Sequence, residues 1–225
     1  RWRVTGIWSH LACSDEPDHP ANAAQETAFH EALALAAAAG LAPEVRHLAN
    51  SAGALLRPSA RFDLVRCGLA SYGLDPAPGH LDPATGLRPA MSVHAHLAMV
   101  KRLAPGDAVS YGHTWRATAP TTVGLVPAGY AEGIPRAAGN AAEVAVAGRR
   151  APIRGVVCMD QFVVDLGDAP AAAGDDVVLI GPAPAASAQE WAEACGTISY
   201  EIVTRLGGRF ARRYVGEQPD EGSAS

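Results

Sequence analysis

Pro89-Ala90-Met91-Ser92-Val93-His94-Ala95-His96-Leu97 marks the place where the pattern of this 225-residue chain changes. Downstream of Met91, short apolar runs recur at 92–97, 108–111, 122–126, 143–147, 162–166 and 176–180, separated by glycines and prolines, which predicts a β-rich domain. Two helices follow. Ser187 stands three residues before Glu190 as a capping box and Gly196 ends that helix, while a second runs over 199–206 and is closed by Gly207-Gly208. Upstream of Met91, strand-like runs at 4–8, 45–48 and 64–69 alternate with helical pattern. The clearest helix lies between the first two: Asn22 with Gln25 three residues on would cap it, Phe29, Leu33 and Leu35 form its apolar stripe, and Gly40 and Pro43 stop it. The expected fold class is α/β plus all-β, a partial (β/α)8 barrel of the TIM type followed by a C-terminal β-rich domain.

The same pattern sets the expected boundaries. Residues 1–86 read as the barrel portion and 87–216 as the β domain, while 217–225, small and polar, read as a disordered tail. The linker is expected at 75–89, which holds Pro76, Pro78, Gly79, Pro83, Gly86 and Pro89. Arg1 stands almost directly before a strand-like run, so the chain is expected to begin inside a domain. Three strands cannot close an eight-stranded barrel, and the first 86 residues are expected to be unstable alone.

Composition narrows the class. Lys+Arg 18 against Asp+Glu 23 gives a net charge of -5, and no basic run of the kind that tracks a phosphate backbone occurs, so nucleic acid is not an expected partner. No apolar stretch approaches the roughly 18 residues that span a bilayer, and no membrane partner is expected. Cys13, Cys67, Cys158 and Cys195 are far apart and form no C-x-x-C pair, a usage that suits reduced thiols in a cytoplasm.

Several residues stand where chemistry is commonly placed, each with a plainer alternative. Asn50-Ser51-Ala52-Gly53 lies where a strand ends and a helix begins, a place where free N–H groups favour an anion. Asn50 and Ser51 could equally do no more than cap the helix. Arg66 interrupts an apolar run; it is either a buried cation that needs partners or a snorkelling surface residue. His10 follows a strand and taken singly reads as structural. Taken singly, Tyr111 reads as a half-buried strand tyrosine and Met159 as a packed core residue. His94 and His96 share a strand face, but no third ligand stands at a telling spacing, so no metal is expected.

Taken together, these residues sit in motifs. Val109-Ser110-Tyr111-Gly112, Gly129-Tyr130-Ala131-Glu132-Gly133, Cys158-Met159-Asp160-Gln161 and Thr197-Ile198-Ser199-Tyr200-Glu201, preceded by Ser9-His10-Leu11-Ala12, His47-Leu48-Ala49-Asn50-Ser51 and Val65-Arg66-Cys67-Gly68-Leu69, resemble in order and spacing the alanine racemase family. The resemblance runs from His10 to Arg209 and implies a pyridoxal 5'-phosphate (PLP) enzyme that interconverts L-alanine and D-alanine for peptidoglycan synthesis.

By this resemblance His10, Asn50, Ser51, Arg66, Gly68, Leu69 and Tyr200 would surround the cofactor. Ser51, the amides of Gly68 and Leu69 and the Tyr200 hydroxyl would meet the phosphate, and Arg66 the pyridine nitrogen. An arginine there gives no proton to the ring, which disfavours side reactions such as transamination. Tyr111 would be the acid/base group on one face of the substrate α-carbon, reaching into the partner of an obligatory homodimer with shared active sites. The Met159 amide would bind the substrate carboxylate, and Tyr130, Arg136 and Asp160, with Asp15 and His47, would line the substrate corridor.

Two departures from the family pattern are Val156, where racemases often carry an arginine, and Glu132 in place of an aspartate. The family also relies on a lysine that carries PLP on the other substrate face. This chain has a single lysine, Lys101, outside any cofactor motif, so the chain taken alone is expected to be inactive, the downstream part of a racemase. Alternative readings are a broad-specificity or serine racemase of the same family, a membrane-tethered relative, and a PLP-binding or interaction module without catalysis.

Overall fold

The computed structural model describes residues 3–216; the tail expected at 217–225 lies outside the described residues. The chain divides after Met91 into two compact units.

In the first unit two short parallel strands, β1 (Gly6–Trp8) and β2 (Val45–His47), are joined through the long helix α1 (Pro20–Ala38). The expected capping by Asn22 is corrected. Pro20 supplies a ready-made helical φ at the first position, and His19 Nδ1 accepts from the Ala21 amide at 3.1 Å, so the helix starts before Asn22. Phe29 and Leu33, four apart and therefore on one face, pack with Leu11, Leu48, Ala49, Ala54 and Ala60. Leu35 lies about 200° round the helix from Leu33 and is exposed, so it is not part of the stripe.

Two short helices follow, α2 (Ser51–Leu56) and α3 (Gly68–Ser71). The strand expected at 64–69 is reduced to one parallel bridge between Asn50 and Arg66. Arg66 N donates to Ala49 O and Asp63 N to Arg46 O, both at 3.0 Å, but Leu64 and Val65 between them are exposed and α3 takes over at Gly68. The stretch expected to be a linker packs back onto this unit. Ala90 N donates to Tyr72 O at 3.0 Å, and Gly73, at φ 71°, lies so close to the Arg88 carbonyl that a Cβ would come within 1.7 Å of its oxygen.

The second unit is built on one antiparallel sheet. Its strands are β3 (Val93–His96), β4 (Met99–Leu103), β7 (Thr121–Val126), β8 (Glu143–Val146), β9 (Arg149–Arg154), β10 (Phe162–Gly167) and β11 (Asp176–Ile180), in the order β3-β11-β8-β9-β10-β7-β4. A two-stranded ribbon of β5 (Ala108–Val109) and β6 (Trp115–Arg116) stands apart from it in the pairing. The apolar runs read in the sequence correspond to β3, β5, β7, β8, β10 and β11. β4 and β9 escape that reading because Lys101, Arg102, Arg149, Arg150 and Pro152 interrupt their alternation. Lys101 is exposed on β4, an end strand of the sheet.

Helix α4 (Ala188–Cys195) has the capping box expected of it: Ser187 Oγ accepts from Glu190 N at 3.1 Å, and a Glu190 carboxylate oxygen accepts from Ser187 N at 2.7 Å. Trp191 is fully buried and its indole N–H donates to Leu179 O at 2.7 Å, fastening the helix to β11. Helix α5 (Ser199–Arg205) comes next. The segment after it is tied down by charge. Glu132, only 3% exposed, accepts from Arg209 Nε at 2.7 Å and from Gly129 N at 2.8 Å. The Arg209 guanidinium beside it holds the Glu132 carboxyl below the usual carboxylate range, against the effect of burial.

Trp191→Ala is expected to destabilise the second unit by about 3–5 kcal/mol, read by urea unfolding of the complete protein. For Glu132 the folded-state pKa is the lower one, so its contribution is present above the unfolded value of about 4.3 and is lost as pH falls through the folded value. Arg209→Gln should therefore lower the unfolding midpoint at pH 7, and the gap to wild type should close on acidification below about pH 4.

Candidate active site

In the first unit three of the expected residues, His10, His47 and Asn50, come together round the Arg66 cation. Arg66 leads from its bridge with Asn50 towards the C-terminal ends of β1 and β2. One guanidinium nitrogen, NH2, donates to Ser9 O at 2.8 Å, Leu48 O at 3.1 Å and His10 Nδ1 at 3.1 Å, and the other, NH1, donates to His47 Nδ1 at 2.6 Å. It is no snorkelling surface residue. The Trp8 ring lies 5.4 Å from the guanidinium carbon and stacks on His47, with 6.0 Å between ring centroids. Arginine can only donate, so an imidazole Nδ1 bonded to it accepts, an arrangement that places the ring proton on Nε2.

Asn50 is both cap and contact. Its Oδ1 accepts from Gly53 N at 3.0 Å and from Ser14 Oγ at 2.7 Å, which fixes the amide so that Nδ2 faces His10 Nε2 at 3.5 Å. Two donors facing each other at that distance make no hydrogen bond, and each is left for a further acceptor. Ser51 does not cap α2. Buried, it accepts from Ala70 N at 3.2 Å, joining the starts of α2 and α3, and its own proton remains a donor. Gly68 is exposed with open space where a side chain would stand, and Leu69 is buried beside it.

The residues first read as a helix cap anchor the His10 loop instead. Gln25 accepts from Ala12 N and donates to His10 O, both at 2.9 Å, and Asn22 donates to the carbonyls of Cys13 and Glu16 at 3.0 Å and 2.9 Å.

In the second unit Tyr111 is not on a strand. It opens a 3-10 turn, Tyr111–His113, and is 75% exposed. Tyr130 begins a second such turn, Tyr130–Glu132, and Arg136 a third, Arg136–Ala138. The Tyr130 turn is strapped to the Met159 segment, Tyr130 N donating to Cys158 O at 3.0 Å and Ala131 N to Met159 O at 2.8 Å. Arg209 completes the strap through NH2 to Asp160 O at 3.1 Å. Met159 is 59% exposed, so it is no core methionine, and among the described residues nothing accepts from its amide. Asp160 and Arg136 are exposed, and Tyr200 is partly exposed on α5.

Sequence reasoning missed Trp8, Ser14, Asn140 and Arg209. None carries a local signal, since a tryptophan at a strand end, a serine in a loop and an asparagine after a glycine read as ordinary surface. His94 donates to or accepts from Ser92 Oγ at 3.0 Å and His96 pairs with Asp176 at 3.1 Å. Among the described residues no cluster of three or more His, Cys, Asp or Glu is arranged to hold a metal. No helix among them is long and apolar enough to cross a membrane.

Residues 1–76 match the family "Alanine racemase, N-terminal domain" and residues 90–214 "Alanine racemase, C-terminal domain". The chain is 58% identical over 215 residues to an alanine racemase of Thermobifida fusca, covering 95% of this chain and 57% of that protein. Among solved structures it is similar to alanine racemase from Streptomyces coelicolor A3(2), with TM-score 0.92 and 53% identity over 96% of this chain and 57% of that one. It is also similar to alanine racemase from Bartonella henselae with covalently bound pyridoxal phosphate, with TM-score 0.83 and 34% identity over 94% of this chain and 57% of that one. The chain thus spans a little over half the length of the relatives it matches, and it belongs to the alanine racemase family.

Proposed function

We propose that this chain is the PLP-contacting and β-domain part of a racemase that interconverts L- and D-alanine, its first unit being a section of a (β/α)8 barrel. The observation that carries the reading is the convergence of Ser9, His10, His47 and Leu48 on Arg66 beside the Ser51 hydroxyl and the open Gly68. That donor set fits PLP: a hydroxyl proton and an uncrowded helix start for a phosphate, and a permanent cation for a ring nitrogen. Ser51, Gly68 and Leu69 would hold the phosphate and His10, Asn50 and Arg66 the ring; the family resemblance alone assigns Tyr200 to the phosphate. Bound PLP supplies an electron sink for the negative charge left on the substrate α-carbon.

The rest is the chain's own work. Arg66 keeps its protons, because a guanidinium is not deprotonated in proteins. Tyr111, exposed on its turn, takes or returns the α-proton on one substrate face through its phenolic oxygen. The base on the opposite face is not Lys101, which stands exposed on β4. The Met159 amide, which has no acceptor among the described residues, receives the substrate carboxylate, with Tyr130, Arg136 and Asp160 selecting small zwitterions on the way in. So exposed a phenol suits a site completed between two copies, and a homodimer with shared active sites follows from this reading.

In the complete protein, Tyr111→Phe should lower racemisation by roughly 100- to 10,000-fold while leaving the bound-cofactor absorbance unchanged. Turnover at the wild-type rate would refute the acid/base assignment. Arg66→Glu should slow racemisation and raise the fraction of transamination product, measured by pyruvate release.

A further inference from the structure

We propose that Ser110 is the positioning residue for Tyr111, and that its hydroxyl sets the spacing between the Tyr111 turn and the Met159 segment. This rests on the reading of Tyr111 as the acid/base group.

Ser110 has φ 63° and ψ 177°, a region almost reserved for glycine, and it is followed by Gly112 at φ 71° and His113 at φ 47°. A non-glycine residue keeps such a conformation only where its surroundings over-determine it, and the Ser110 side chain supplies one such restraint. Ser110 Oγ donates to Val156 O at 2.6 Å. It also lies 3.5 Å from Cys158 Sγ, next to Met159. Gly155, at φ 74°, lets the two strands of chain approach: a Cβ on it would stand 2.7 Å from Ser110 Cβ and 3.0 Å from Val109 O.

The other end of the turn is fastened to the same loop. Asn140 Nδ2 donates to Thr114 Oγ1 at 3.1 Å, and its Oδ1 accepts from Gly155 N at 2.7 Å. Ser110, Val156, Gly155, Asn140 and Thr114 therefore form a closed circuit round an otherwise exposed Tyr111. A tyrosine so exposed gains little orientation from packing, and its backbone must supply it. Because Val156 leads through Cys158 into Met159, one hydroxyl fixes the proton-transferring group against the amide assigned to the substrate carboxylate. Ser110, which caps the turn, hydrogen-bonds through its side chain to that segment.

The test uses Ser110→Ala and Ser110→Gly in the complete enzyme, with Tyr111→Phe alongside. Alanine keeps the strained backbone without its anchor. Glycine removes the strain as well, so it folds even if alanine does not. Both should lose kcat by on the order of 10- to 100-fold with little change in KM and unchanged cofactor absorbance. Amide hydrogen exchange of the peptide spanning 109–114 should speed up.

A second ratio separates positioning from general damage. In D2O, a proton removed and replaced on the face opposite Tyr111 exchanges the substrate α-hydrogen without inversion, whereas inversion needs the phenol. Exchange of that enantiomer should therefore fall less than racemisation in both variants. Equal falls in the two rates, or wild-type kinetics in Ser110→Gly, would overturn the proposal. If Tyr111→Phe itself racemises normally, the underlying reading of Tyr111 fails instead.

Discussion

A guanidinium that cannot shed its charge must be given acceptors, and most of the first unit's functional end is organised by that demand. Arg66 takes the carbonyls of Ser9 and Leu48, each just beyond a strand, and the imidazole nitrogens of His47, which ends β2, and His10, which follows β1. Each acceptor is fixed in turn. Gln25 and Asn22 hold the His10 loop against α1, Trp8 stacks on His47, and Ser14 and Gly53 orient Asn50. Removing the cation would leave acceptors facing one another in a half-buried space, an outcome costlier than the loss of any single bond.

The second unit meets a different requirement. Its sheet is a scaffold, and the residues assigned to substrate chemistry stand on turns and loops outside it, where local forces alone would not hold them. Two devices supply rigidity. The Glu132–Arg209 pair joins the Tyr130 turn, Asp160 and the chain after α5, while the Asn140–Gly155 and Ser110–Val156 bonds hold the Tyr111 turn. Both exploit glycines at which backbone replaces side chain: Gly129 lies so near the Met159 carbonyl that a Cβ would come within 2.5 Å of it.

Much of this was legible in the sequence, and the gaps have physical reasons. The change at Met91, the capping box of α4 and the short strands are local properties, so pattern found them. β4 and β9 were hidden by charged residues whose long side chains reach solvent from a strand. The third strand of the first unit was overread, because apolar character at 64–65 does not create the neighbouring strand that would pair with it. Asn22 looked like a cap through its spacing from Gln25, yet both side chains serve the loop, and Pro20 decides the helix start. Arg209, Asn140 and Trp8 act across long sequence separations and carry no local mark at all. The motif residues were found by resemblance, and the bonds that support them came only from coordinates.

Trp8 gives this arrangement an optical side. Its indole is 64% exposed, yet its face lies against the His47 ring and the Arg66 guanidinium. Trp191 by contrast is sealed in the second unit, and Trp115 lies under Arg154. Emission from the first of these rings therefore responds to whatever absorbs light or shifts charge beside Arg66, so the chain carries a built-in fluorophore at the place where its chemistry is assigned.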